Sequence, residues 1–328
     1  MAKVYVTDYE YASLDEEKEE LAKYGIELIA KQCKTEDDVI RECKDADGLL
    51  DQYAPIGRKV IEALPNLKVV ARYGVGFNTV DLSAATEHGV CVINVPDYCQ
   101  DEVSNQAFAL MMACMRKITV LNDQVQSGKW DYKVAKPIHR MMGQTLGLLG
   151  FGRIPKVLAK KAAAFGLNLV AYDPFLKQED VKGYNVTLMS LEEVLKTSDI
   201  ISLHMPLFKE TEKIIDAKAF DLMKSTAIII NTSRGPLIDE EALYDAIKYG
   251  KIAGAGLDVT SIEPLPADSK LRGLKNVIIT PHAAWYSEEA EKELKTKAAH
   301  GAGEIISGYD MPTIVNPAVR EKLSLKKR

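Results

Sequence analysis

From Lys3 almost to the end of the chain, short runs of β-branched and aliphatic residues alternate with longer amphipathic segments. Strands separated by helical crossovers pair parallel, so the alternation predicts βαβ units and parallel sheets. The strand candidates form two sets. The first is Lys3–Thr7, Ile26–Ala30, Gly48–Asp51, Lys68–Tyr73 and Cys91–Val95. The second is Thr145–Gly150, Asn168–Asp173, Ile200–His204, Thr226–Thr232, Ala253–Val259 and Asn276–Thr280. Between them, from about Asp101 to Gly143, lies a strand-free stretch with the apolar helix Ala107–Met115. Ser190 with Glu193, and Thr35 with Asp38, have the spacing of helix capping boxes. A last helical pattern spans Ser287–Ser307. The expected architecture is α/β: two doubly wound parallel-sheet domains, the second with six strands, as a dinucleotide-binding sheet requires.

A length of 328 residues suits two domains of ordinary size. The net charge of −5 comes from 42 basic and 47 acidic residues of mixed order, which leaves no basic face for nucleic acid. No run of eighteen apolar residues exists and no signal peptide precedes the first strand, so a cytoplasmic protein that spans no membrane is expected. The five cysteines, Cys33, Cys43, Cys91, Cys99 and Cys114, have no metal-ligand spacing and read as buried free thiols. No metal is expected.

The stretch Leu146-Gly147-Leu148-Leu149-Gly150-Phe151-Gly152-Arg153-Ile154-Pro155 is a buried strand turning through two glycines into a helix. Gly150 permits the tight turn, and Gly152 lets backbone N–H groups approach a pyrophosphate at the helix start. Asp173 ends the next strand about twenty residues on, where a carboxylate accepts from ribose hydroxyls and repels a 2′-phosphate, favouring NAD over NADP. Pro155 stands where the fingerprint has its third glycine. A first helical turn tolerates proline, so cofactor binding is expected to survive with altered loop geometry.

Three polar residues follow strand ends in the second set. Arg234, past Ala227–Ile230, suits bidentate capture of a substrate carboxylate with an N–H left to polarise a 2-oxo group. His282, in Thr280-Pro281-His282, is a candidate general acid/base, and Glu263 is a carboxylate placed to fix its tautomer. His204 ends a further strand and is a candidate to line the cofactor groove.

Gly147–Ile154, Asn231-Thr232-Ser233-Arg234-Gly235, Gly256-Leu257-Asp258-Val259 with Glu263-Pro264, and Thr280-Pro281-His282 together resemble the D-isomer-specific 2-hydroxyacid dehydrogenase family. The resemblance covers nearly the whole chain. It implies that Arg234 holds the substrate, that Glu263 and His282 form the acid/base pair, and that Asp173 reads the ribose. The cofactor set it implies begins with Gly150, Phe151, Gly152, Arg153, Ile154 and Asp173. It continues with His204, Pro206, Thr211, Thr232, Ser233 and Asp258. It also implies a discontinuous, flavodoxin-like substrate-binding domain, 1–101 with 285–328, and an inserted Rossmann NAD-binding domain, 102–284. The turn Tyr73-Gly74-Val75-Gly76 resembles the family's substrate loop, with backbone N–H groups for a carboxylate. Asp101–Gln106 departs from the family's pattern, and no role is carried to it.

These residues imply NAD-linked hydride transfer at C2 of a small 2-hydroxy or 2-oxo acid, without nucleic acid or membrane as partner. Tyr53, Tyr73, Tyr286 and Trp285 would give the substrate pocket aromatic walls. Asp51–Ile56 lacks an arginine for a phosphate, which speaks against phosphoglycerate, and Glu263 stands where formate-oxidising members have glutamine. The stretch Pro281–Ala290 resembles the branch of the C-terminal binding protein corepressors, so an NAD(H)-sensing, protein-binding scaffold is the alternative. The family resemblance makes Ala107–Met115 a dimer contact, and a buried interdomain helix would show the same pattern; a homodimer is the expectation.

Overall fold

A computed structural model describes residues 1–328. The chain begins β1 (Lys3–Val6), α1 (Asp15–Ala22), β2 (Glu27–Ala30), α2 (Glu36–Glu42) and β3 (Gly48–Asp51). It continues α3 (Arg58–Ala63), β4 (Val69–Arg72), α4 (Leu82–Glu87), β5 (Cys91–Ile93), α5 (Gln100–Arg116) and α6 (Ile118–Gln126). Then come β6 (Thr145–Leu149), α7 (Arg153–Ala164), β7 (Asn168–Tyr172), β8 (Val186–Leu188), α8 (Leu191–Thr197) and β9 (Ile200–Leu203). The remainder is α9 (Ala217–Leu222), β10 (Ile228–Asn231), α10 (Glu240–Lys248), β11 (Gly254–Leu257), β12 (Val277–Ile279) and α11 (Glu288–Ile306). The chain divides into two units, Met1–Cys99 with Ser287–Arg328, and Gln100–Tyr286.

In the first unit the five strands are ordered β2-β1-β3-β4-β5, all parallel, and the order reverses between β1 and β3. In β3 and β4 every residue is buried, as a parallel sheet covered on both faces demands. The C-terminal helix α11 packs on β3, β4 and α1.

The second unit holds seven parallel strands, β12-β11-β10-β9-β6-β7-β8, with the reversal between β6 and β9. The reading of six strands is corrected by β8. It is a three-residue edge strand entered through Asn185 in the left-handed region, too short to show a period of two. In α5, Val103, Ala107, Leu110, Met111 and Met115 are buried at helical spacing, and the helix packs on β10, β11 and α7. Packing on this sheet therefore accounts for the apolar face noted at Ala107–Met115.

Both capping boxes form: Thr35 and Asp38 bond reciprocally, as do Ser190 and Glu193, each cap worth about 1 kcal/mol. Cys33, Cys43, Cys91 and Cys99 are buried, Cys114 is partly so, and all are free. No helix is long and apolar enough to cross a membrane.

Candidate active site

In parallel sheets ligands bind beyond the carboxyl ends of the strands, near the reversal of strand order. In the second unit that point is the turn after β6. Gly150 has φ +87°, and a Cβ there would come within 3.0 Å of the His204 carbonyl carbon and the Met205 nitrogen, so only glycine lets the turn lie against the end of β9. A Cβ at Gly152 would enter open space, and α7 begins at the next residue. Pro155 is buried in the first turn of α7 without breaking it, because a first-turn N–H has no partner within the helix. The Asp173 carboxylate accepts from Phe151 N (2.9 Å) and Phe175 N (3.0 Å), which fixes it beside the glycine turn. Desolvation pushes the His204 ring down to about 3, so it is neutral, and its Nε2 meets Ser202 Oγ at 2.8 Å.

At the end of β10, Asn231 braces the loop that follows, accepting from Ser233 N (3.0 Å) and donating to the Arg234 carbonyl (2.9 Å). Ser233 Oγ donates to Met205 O at 2.6 Å. Gly235 lies so close to Thr260 that a Cβ would come within 2.0 Å of its carbonyl carbon. The bare backbone thus lets the Arg234 loop pack on the turn that leads to Glu263. Thr232 Oγ1 is buried with no partner in the protein. Farther out, Thr211 Oγ1 donates to Pro206 O (2.8 Å) and accepts from Phe208 N (2.8 Å), so this hydroxyl closes its own loop.

Glu263 and His282 meet. His282 Nδ1 lies 2.7 Å from Glu263 Oε2, and Glu263 Oε1 accepts from Thr260 N at 2.9 Å. Burial alone would raise the Glu263 carboxyl, but the hydrogen bond and charge of His282, the Thr260 N–H and the Arg234 guanidinium outweigh it and hold the group below the usual carboxylate value. An ionised carboxylate only accepts, so Nδ1 carries its proton toward Glu263 and Nε2 faces away from it. His282 itself has φ +53°, a left-handed conformation uncommon outside glycine. Asp258, read as a cofactor residue, turns its carboxylate into this loop, where it accepts from Thr280 Oγ1 (2.5 Å), Ala283 N (3.1 Å) and Ala284 N (2.9 Å). The Trp285 ring stands edge-on to Tyr286, centroids 5.6 Å apart.

The first unit has its own polar strand end. The carbonyls of Gly74, Val75 and Gly76 accept from Val95 N (3.0 Å), Asn94 Nδ2 (2.7 Å) and Arg72 Nε (3.2 Å). In a trans peptide N–H and C=O point oppositely, so the N–H groups of Val75 and Gly76 face away from these donors. Tyr73, expected to line a pocket, instead is buried: its hydroxyl donates to Glu17 Oε1 at 2.8 Å and its ring packs edge-on against Tyr11. The ring follows the apolar interior because that face of the strand end is covered by α1. Tyr53 is half-exposed, and its N–H donates to Asp8 Oδ2 at 2.8 Å.

Sequence reasoning missed Gln106, whose Nε2 donates to Thr280 Oγ1 at 3.1 Å, and Asp8, which accepts from the N–H groups of Gln52, Tyr53 and Ala54. Asp8 carried a signal, a carboxylate immediately after the first strand. Gln106 carried none, since its partner is 174 residues away.

A family model described as "D-isomer specific 2-hydroxyacid dehydrogenase, NAD binding domain" matches residues 108–284. The chain is 40% identical to a glyoxylate reductase of Korarchaeum cryptofilum over 289 residues, 86% of each protein. It is 39% identical to a D-3-phosphoglycerate dehydrogenase of Methanocaldococcus jannaschii over 96% of this chain but 60% of that protein. It superposes with a TM-score of 0.85 on D-lactate dehydrogenase from Aquifex aeolicus complexed with NAD and lactic acid, at 29% identity over 93% of this chain and 96% of that one.

Proposed function

Because the chain belongs to the D-isomer-specific 2-hydroxyacid dehydrogenase family, a family of NAD-dependent oxidoreductases, we propose that it interconverts a small 2-oxo acid and the D-2-hydroxy acid, using the residues at the strand ends of its second unit. The reading is supported most directly by the 2.7 Å hydrogen bond between His282 and Glu263, with Arg234 close enough to bias the same carboxylate.

The residues after β6 fit a dinucleotide. Open space over Gly152 leaves room for a pyrophosphate at the start of α7, Asp173 is fixed where a ribose would lie, and the unpartnered Thr232 hydroxyl suits a polar group of the nicotinamide half. To the same cofactor we assign Phe151, Arg153 and Ile154 at the glycine turn, and His204, Pro206, Thr211 and Ser233 in the segments after β9 and β10. When bound, the cofactor supplies or accepts the hydride. Arg234 holds the substrate carboxylate through paired N–H groups and polarises the 2-oxo group. His282 delivers a proton from Nε2 to the oxygen that becomes the hydroxyl, while Glu263 keeps Nδ1 protonated and the ring in place. In the first unit, the N–H groups of Val75 and Gly76 offer a further place for a carboxylate. Trp285, three residues after His282, would provide an apolar wall for the substrate.

Glyoxylate and hydroxypyruvate are the substrates this reading favours over a phosphorylated acid. Residues 51–56 include no cation, and the Arg72 guanidinium is committed to Asp51 and to loop carbonyls. The reading includes a homodimer, supported by the exposed apolar side chains Ile118 and Val125 of α6 and Trp130 and Tyr132 after it. A monomer mass in light scattering at micromolar concentration would remove that element.

NADH absorbance, followed with glyoxylate, hydroxypyruvate, pyruvate, 2-oxoisocaproate and phenylpyruvate, tests the function. The expected outcome is rapid oxidation with one of the two smallest hydrophilic acids, abolished in Arg234→Ala. NADH binding without turnover on any of them would instead favour the protein-binding scaffold.

A further inference from the structure

Tyr73 is the residue at which β4 gives way to the Gly74-Val75-Gly76 turn, and its side chain ends on a buried carboxylate. The ring packs edge-on against Tyr11, centroids 5.2 Å apart, and the hydroxyl donates to Glu17 Oε1 at 2.8 Å. Glu17 lies on α1 without exposure to solvent, and burial pushes its carboxyl up. Its other oxygen, Oε2, has no hydrogen-bond partner and lies 3.8 Å from Nζ of Lys295, a buried residue of α11. Lys295 donates to Ser13 O (2.8 Å) and Glu16 Oε2 (2.6 Å), and its ammonium stands over the Tyr11 ring, 5.4 Å from the centroid. An apolar side chain of similar size would fill this space without the cost of a buried, half-satisfied carboxylate. What the carboxylate adds is an acceptor for one hydroxyl.

The turn needs such an anchor. Gly74 has φ +143°, a region that other residues avoid, and glycine imposes no direction of its own. The way the Val75 and Gly76 N–H groups point is therefore set by what grips the chain around them. The carbonyls of Gly74, Val75 and Gly76 are held by Val95, Asn94 and Arg72. On the strand side the grip is Tyr73, whose N–H donates to Asp51 O at 2.9 Å and whose hydroxyl is fixed by Glu17. Helices α1 and α11, from opposite ends of the sequence, pack on one another to bring Glu17 and Lys295 together.

We propose that Glu17 is a positioning residue for the substrate: through the Tyr73 hydroxyl it fixes the turn that offers the Val75 and Gly76 N–H groups to the carboxylate of a 2-oxo acid. Lys295 holds Glu17 in place. The proposal rests on the reading of the protein as a 2-oxo acid reductase. The substrate carboxylate keeps its charge while hydride and proton are added at the carbonyl, so the turn grips ground state and transition state alike. Loosening it should raise KM and leave kcat and NADH affinity alone.

The test measures, on the full chain, kcat and KM for the 2-oxo acid turned over best, competitive inhibition by oxamate, and NADH affinity by fluorescence titration. Tyr73→Phe removes one oxygen and keeps the ring, Glu17→Met removes the acceptor, and Glu17→Gln keeps one. KM and the oxamate inhibition constant should rise roughly tenfold in Tyr73→Phe and in Glu17→Met, with kcat and NADH affinity within about twofold of wild type. Both changes cut the same bond, so the double variant should be no worse than either single one. Glu17→Gln should recover most of the loss. Tyr73→Phe, which leaves the ring packing intact, keeps the test open if Glu17→Met does not fold. Wild-type KM and oxamate inhibition in Tyr73→Phe, with Arg234→Ala inactive, would overturn the proposal and leave the function standing. Losses of kcat and NADH affinity as large as the change in KM would overturn it too, by making the pair plain support of the fold. Unchanged turnover in Arg234→Ala would remove the reading of the reaction, and the proposal with it.

Discussion

The carboxyl ends of the two sheets use the same residue types in opposite ways. At the end of the first sheet the carboxylates are consumed by the protein. Asp8 clamps three successive N–H groups of the loop after β3, and Asp51, fully buried, takes Arg72 at 3.0 Å and the Thr79 hydroxyl at 2.9 Å. Burial pushes the Asp51 carboxyl up and Arg72 opposes it, as expected of an ion pair that organises backbone. At the end of the second sheet Glu263 and His282 are each more than a third exposed or close to it, and Thr232 keeps an unpartnered hydroxyl. A strand-end carboxylate is thus committed to the scaffold where donors saturate it and left available to a ligand or a proton transfer where they do not.

The contrast can be broken from the first unit. Arg72→Met leaves Asp51 buried without its cation and should cost about 3–5 kcal/mol of stability in denaturant titration. Adding Asp51→Asn to it should recover part of that loss; a double variant no better than the single one would mean that the cost does not come from an unpaired Asp51 charge. Asp173→Ala is a smaller perturbation on the reactive side. Losing charge-assisted bonds to the ribose should reduce the preference for NADH over NADPH roughly tenfold, and an unchanged ratio of kcat/KM values would place cofactor discrimination elsewhere. The smallest effect is expected from Glu263→Gln on stability. The folded-state Glu263 carboxyl is held below its ordinary value of 4.5, so the stabilisation it brings is present above that pH and disappears as pH falls through the lowered value. Wild type should therefore be slightly more stable than Glu263→Gln at neutral pH and equal to it at strongly acidic pH; a gap that widened on acidification would reverse the assigned shift.

Much of the architecture was legible because its signals are local. The eleven strand candidates, the two capping boxes and the glycine turn are each set by residues within a short window. The pairing of Glu263 with His282 was legible for a different reason, since successive strands of a parallel sheet deliver their ends to one edge. What escaped depended on distant partners. Tyr73 follows a strand and looks like a pocket wall, yet the Glu17 that accepts its hydroxyl is 56 residues away and decides which way the ring turns. The bonds that Asp258 accepts from Thr280, Ala283 and Ala284 also come from residues more than twenty positions away. Strand β8 escaped because three residues at a sheet edge carry too little pattern.

The most direct test of the role given to the second unit is single-turnover oxidation of bound NADH by glyoxylate or hydroxypyruvate, in wild type and in His282→Ala. A general acid contributes about 10²–10⁴-fold, so the variant should bind NADH as the wild type does and oxidise it slower by that factor. Equal rates in the two proteins would show that the proton comes from elsewhere and that the Glu263–His282 pair is scaffolding like Asp51 and Arg72.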